Sequence, residues 1–310
     1  MSDKVSELLN SSFPSRRKFL AGLGLGAGAA TIIGCGSNST AATTAAPTTT
    51  ATPAATLTDA DILNFALNLE YLEAEFYLRA ATGSGLTAAD IGANPAPTTG
   101  GAQVPFTTPA YKAYALEVAN DELAHVRFLR KALGSAAVDK PAIDLTASFN
   151  AAAVAAGIGS SFNPFGDENS FFVGAFTFED VGVTAYNGAA PLLTNKDYLT
   201  AAAGIMAVEG YHAAEIRTVL AYGDPAFLAA AVKISTLRGA ASSAVTSGNG
   251  ADETAPSSKT IVAADSNSLA YFRSPDQVLH IVYLNATAGI VKSGGFFPNG
   301  LNGTITASAS

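Results

Sequence analysis

The chain has no tryptophan, one cysteine and three histidines in 310 residues. A single cysteine excludes any disulfide within the chain. Charged residues make up only 14% and the net charge is −8. That balance argues against nucleic acid as a partner, because phosphate binding calls for clustered lysine and arginine. The apolar, glycine-rich run from Phe19 to Ile33 is too short for a comfortable membrane span. What the chain does have is apolar bulk, at 48% hydrophobic residues. At this length that suffices for one large core, or for one core with an appended layer.

Residues 1–36 read as an export signal. Ser15-Arg16-Arg17-Lys18-Phe19-Leu20 resembles the twin-arginine motif, with Ala21 where a basic residue is usual. The apolar run closes on Ile32-Ile33-Gly34-Cys35, which resembles a bacterial lipobox. There Cys35 would be lipidated and become the mature N-terminus. The other reading is a plain cysteine, with cleavage further on in the Ala-rich tract. The lone cysteine's place at the end of the apolar run favours lipidation. One acyl chain binds a membrane weakly, so stable anchoring takes more than one. The expected location is the periplasm or cell envelope, with the membrane touched only through Cys35. The twin-arginine route carries folded proteins, which suits one that loads a cofactor before export. Residues 37–56 are Thr, Ala, Ser and Pro without periodicity and read as a disordered tether. The folded domain is expected over 57–303, with 304–310 as a short tail.

Two stretches dominate that domain, Asp121-Glu122-Leu123-Ala124-His125 and Val208-Glu209-Gly210-Tyr211-His212. Each sets a Glu three residues before a His, which on a helix puts both on one face. With 11 glutamates in the chain, that spacing before any one His arises by chance about 4% of the time. For two of three histidines the chance is roughly 0.4%, so the pair is not accidental.

The helical pattern supplies the rest. Thr58 and Asp61 form a capping box that opens a first helix, Asp59 to about Ala81. On its wheel Leu63, Ala66, Ala74 and Tyr77 surround Glu70, so this carboxylate sits inside an apolar stripe. Glu73 falls at the stripe's edge and Glu75 points nearly the opposite way, toward solvent. Residues 83–107 read as an irregular excursion. Thr108-Pro109 opens a second helix that runs to Leu133 and stops at Gly134. A connection from 135 to about 168, helical in part over Leu145–Ala156, is long enough to cross that helix. The third helix, about Asn169 to Ala190, can therefore run parallel to the second. Glu179 precedes Tyr186 by seven, as Glu70 precedes Tyr77. The fourth helix, Asn195 to Tyr222, carries Glu209 and His212. Arg130 and Arg217 each follow a motif histidine by five. The two halves thus look like a duplicated helix pair, Glu-x6-Tyr followed by Glu-x-x-His. A fifth helix over 225–247, a short one from Asp276 to Ala286 and an irregular tail through Gly294–Gly300 complete the chain.

Bundles that hold two metals use one Glu from each of two helices and a Glu-x-x-His from each of the other two. This chain supplies that set in order: Glu70; Glu122 and His125; Glu179; Glu209 and His212. Four carboxylates balance two divalent ions and leave coordination positions open. A metal-free core would cluster up to four negative charges in low dielectric, at several kcal/mol for each uncompensated ion. The mixed oxygen and nitrogen donors suit two iron or two manganese ions alike.

On these residues the chain resembles the ferritin-like superfamily, an all-α four-helix bundle with a long crossover between helices 2 and 3. Here extra C-terminal helices and an irregular tail would be added. The segment Leu69 to Tyr77 and the Phe296-to-Gly303 tail are similar to exported ferritin-like proteins that include plant desiccation-related ones. The resemblance implies that Glu122 and Glu209 bridge two ions while Glu70 and Glu179 each chelate one. It also implies an Asp before each Glu-x-x-His that holds a histidine; Asp121 fits this and Val208 does not. Tyr77 and Tyr186 are either hydrogen-bond donors to the carboxylates or ordinary core tyrosines. His280, with no Glu three before it, reads as structural or exposed. Two functions stay open. One is a di-iron or di-manganese oxidoreductase acting on a small oxidant, dioxygen or peroxide, with ferroxidase or catalase-like chemistry. The other is a non-enzymatic envelope stress or desiccation-related protein whose metal site is structural or vestigial.

Overall fold

The computed structural model describes residues 57–245 and 254–309. The readings of the export signal, Cys35 and the tether lie outside these residues. Among the described residues no helix is long and apolar enough to cross a membrane.

Four long helical segments build the bundle in two pairs. Helix α1 (Asp59–Thr82) packs against α2 (Pro109–Leu133). The third rod differs from the single helix expected. It is two helices, α4 (Glu168–Phe176) and α5 (Glu179–Ala189), and α5 packs against α6 (Lys196–Tyr222). Between α2 and α4 the crossover carries a short helix α3 (Ala147–Ala155). Two helices follow the bundle, α7 (Pro225–Ser243) and α8 (Pro275–Val282).

The local causes are visible in the caps. Thr58 and Asp61 cap each other's backbone at the start of α1, and Gly83 ends it at φ +82°, where a Cβ is strained. At α2 the expected threonine cap is not made. Thr108 Oγ1 instead donates to Glu168 Oε1 at 2.7 Å, which ties the start of α2 to the start of α4. The break between α4 and α5 arises at Thr177. Its hydroxyl donates to Val173 O, while Thr177 N and Phe178 N reach back only three residues, to Gly174 O and Ala175 O. This tightening stops the ladder and makes Glu179 the first residue of a new helix.

The excursion after α1 and the crossover meet in a two-residue parallel ladder, β1 (Thr98–Thr99) with β2 (Ile143–Asp144). That excursion overturns the solvated reading of Glu75. Gly85 folds against its carboxylate so closely that a Cβ there would lie 2.1 Å from Oε2. Glu75 is buried and accepts from Arg79 Nε at 2.7 Å. The tail crosses the bundle as an irregular strap. Phe296 is buried against the rings of Phe149 and Phe178, and its backbone bonds Val282 O and Asp144 N. Asn302 exchanges hydrogen bonds with Asn68 on α1, and the contacts run past residue 303 to Ser308.

Truncating Phe296 to Ala should lower unfolding free energy by about 3–5 kcal/mol, because the ring fills a junction of three layers. A urea midpoint that moves by less than a third of that would show the strap to be an ornament on an independently stable bundle.

Candidate metal centre

Each half of the bundle contributes three of the six expected side chains, and the two triplets meet on the bundle axis. Glu70, Glu122, Glu179 and Glu209 are at most 1% exposed, and His125 and His212 are buried. Ligand-type atoms of Glu70, Glu122, His125 and Glu209 lie within 4.8 Å of one another; those of Glu122, Glu179 and His212 form a second such group. Glu122 belongs to both, so its carboxylate stands between the two. Glu209, assigned a bridging place by the resemblance, falls in the first group only.

Both imidazoles point Nδ1 inward. His125 Nδ1 lies 3.2 Å from Glu70 Oε2 and 3.3 Å from Glu122 Oε2. His212 Nδ1 lies 3.1 Å from Glu122 Oε1 and 3.4 Å from Glu179 Oε2. The outer nitrogen of His212 meets Asp121 Oδ2 at 3.2 Å. Tyr77 and Tyr186 are hydrogen-bond donors: Tyr77 OH donates to Glu179 Oε1, and Tyr186 OH donates to Glu70 Oε1. Tyr114 OH donates to the backbone oxygen of His212 at 2.9 Å. His280 lies outside this group, buried in α8 with Nδ1 3.0 Å from Asn285 O.

Two contributors were not legible as such. Gly182, on α5, faces Glu209; a Cβ there would sit 2.1 Å from its Oε2. Only glycine leaves room for that carboxylate. Glu73, read from the wheel as an edge position, is 5% exposed because Phe178, Ile281, Val282 and Phe296 cover it. A hollow of about 20 Å³ lies beside it, large enough for a water-sized molecule only.

The electrostatics are severe. Burial, then the charges of Glu122, Glu179 and Glu70, push the Glu73 carboxyl well above the usual range. Burial and the neighbouring carboxylates do the same to Glu209, and burial with Glu70 raises Glu122. Burial pulls both histidines down, but Glu70 and Glu122 lift His125 to about 11, and Glu179 and Glu122 lift His212 to about 12. Glu70 Oε2, Glu122 Oε1, Glu179 Oε2, both oxygens of Glu209 and His212 Nδ1 are buried with no hydrogen-bond partner in the protein. Polar atoms so placed cost free energy unless a cation satisfies them. The donor set therefore fits metal ions and can hold them.

A ferritin-type helical bundle around a carboxylate–imidazole cluster is the class that fold and site define. Comparison with known proteins agrees. The sequence pattern of the ferritin-like domain matches residues 58–222. Over 267 residues the chain is 30% identical to the "Ferritin-like catalase Nec2" of Nesocodon mauritianus, spanning 80% of this chain and 84% of that protein. Over 167 residues it is 30% identical to the "Desiccation-related protein PCC13-62" of Craterostigma plantagineum, 52% of this chain and 53% of that one. The chain belongs to the ferritin-like domain family.

Two outcomes follow for protein stripped of metal. Glu209→Gln removes a carboxyl whose ionised form burial and its acidic neighbours disfavour, and should raise the stability of the metal-free protein by about 1–3 kcal/mol at alkaline pH while lowering metal capacity, as read by urea unfolding and metal analysis. Carboxyls and imidazoles whose folded pKa is raised bind more protons folded than unfolded. Their contribution is present below the unfolded values, 4.5 for Glu and 6.5 for His, and is lost as pH rises through the folded ones. The urea midpoint of the metal-free protein should thus be higher at pH 5 than at pH 8. An opposite slope would mean that these groups do not carry protons in the folded state.

Proposed function

We propose that this chain is an exported oxidoreductase that holds two iron or manganese ions between Glu70, Glu122, His125, Glu179, Glu209 and His212. Its substrate is a small oxidant, hydrogen peroxide ahead of dioxygen. The observation that carries this reading is the set of six buried, unpartnered donor atoms aimed into one space from four helices. The name of the catalase relative supports peroxide as the substrate.

Iron or manganese held by these six side chains would supply the two-electron redox chemistry that peroxide disproportionation needs. One peroxide is oxidised to dioxygen and the next is reduced to two waters, so no outside reductant is needed. The protein's own groups set the conditions for this. Glu122 spans the two ligand groups and fixes their separation. Tyr77 and Tyr186 keep their protons, since burial and the adjacent carboxylates push both phenols well up. Each thereby fixes one terminal carboxylate by donating to it. Asp121 sets the ring of His212 from outside. In this reading residues 1–36 direct export, and Cys35 carries the lipid anchor.

The second relative favours a reading from another class, an envelope stress protein with structural ions. Metal analysis followed by peroxide and ferrous-iron assays separates the two. The expected result is close to two Fe or Mn per chain, lowered sharply by Glu122→Ala or His212→Ala, with peroxide turnover lost in parallel. Zinc alone, or no metal, would sink the redox reading. Bound iron or manganese without turnover would favour the stress protein.

A further inference from the structure

Past residues 58–222, which carry the ferritin-like pattern, the chain returns to the bundle. The segment 254–273 lies over α5 and α6 and is tied to them along its length. Arg217 of α6 donates through Nε to Ile261 O and through Nη2 to Thr254 O. Asn187 of α5 donates to Ala270 O and Tyr271 O, and Arg273 N donates to Thr184 O. Between the segment and the two helices lies a cavity of about 180 Å³. Gly210, Ala213 and Ala214 of α6 form its floor, and Ile261, Val262 and Ala270 form its roof. That is room for a benzene-sized ring.

Gly210 and Arg217 set this cavity apart from a packing void. Glycine is a weak helix former, yet Gly210 sits in the middle of α6 where a Cβ would meet nothing within 4 Å. The helix would accept a larger residue there; what glycine preserves is the space. Arg217 is 1% exposed and lines the cavity. A guanidinium carries five N–H donors. Among the described residues Arg217 uses three, on Asp180, Thr254 and Ile261, and five less three leaves two. Asp180 is the one carboxylate among the described lining residues, and its Oδ2 already takes both Arg217 and Arg238. Arg273 brings a second guanidinium to the same wall.

We infer that this cavity binds a small carboxylic acid with an apolar body: the body fills the space over Gly210, and the carboxylate takes the spare N–H groups of Arg217. Charge-assisted bonds of this kind are shorter and stronger than neutral ones, and the planar guanidinium matches a carboxylate. The apolar floor and roof favour acids that have apolar surface to bury. None of the six cluster residues lines the cavity, so its ligand and the metal centre stand or fall separately.

The test is binding of benzoate to the full chain, read by saturation-transfer NMR and titration calorimetry. Benzamide, of the same shape without the charge, should bind about tenfold more weakly. Gly210→Leu sends a side chain into the cavity and should abolish benzoate binding, with helical content unchanged by circular dichroism. Ala263→Leu fills the cavity from the roof and should do the same, which keeps the test decisive if Gly210→Leu fails to fold. Absence of benzoate binding to the unaltered chain would overturn the inference. Equal affinities for benzoate and benzamide would overturn it too, as would benzoate binding retained in a folded cavity-filling variant.

Discussion

Four carboxylates and two imidazoles share one buried space, and the rest of the molecule is arranged to tolerate that. The cost of burying such charge singly exceeds what one helix pair can offset. The structure answers by making each half hold the other. Tyr77 of α1 donates to Glu179 of α5, and Tyr186 of α5 donates to Glu70 of α1. Asp121 and Tyr114, on α2, hold the ring and the backbone of His212 on α6. Separating the pairs would strip every one of these contacts at once, so the cluster also acts as a clasp between the two halves.

Around the clasp lies a second polar layer that faces away from it. Asp180, next to Glu179, takes Arg217 of α6 and Arg238 of α7 on one carboxylate oxygen, each at 2.8 Å. Arg238 also stands 4.3 Å over the ring of Phe176 and donates to its backbone oxygen. Adjacent residues on α5 thus serve different purposes: one turns to the bundle axis and the next anchors the appended helices. The break at Thr177 places both at the start of a fresh helix, where its free N–H groups and dipole favour negative charge.

The bundle and its ligand set were legible because both are written in helical periods. Glu-x-x-His and Glu-x6-Tyr are spacings that a single helix converts directly into a shared face, and Thr58, Gly83 and Gly134 mark ends through local backbone chemistry. What the sequence concealed depends on layers that no wheel contains. Glu75 lies on the outer face of α1, yet the loop after α1 folds back over it. Glu73 reads as an edge position until α8 and the tail cover it. Gly182 looks like an ordinary weak helix position, and its meaning appears only beside Glu209, 27 residues away. The break inside the third rod turns on one threonine hydroxyl competing for a carbonyl, a contest that propensity does not decide.

The near-copy relation between the halves fails at one position. Asp121 braces His212, whereas its counterpart on α6 is Val208, which cannot brace His125. The ligand groups are unequal as well: four residues make up the group that includes His125 and three the group that includes His212. The two histidines are thus not equivalent: His212 is steered by a half-exposed carboxylate, Asp121, and Val208 offers His125 nothing of the kind. The two triplets therefore share a spacing but not a setting, so that the grip of one histidine on its surroundings differs from that of the other.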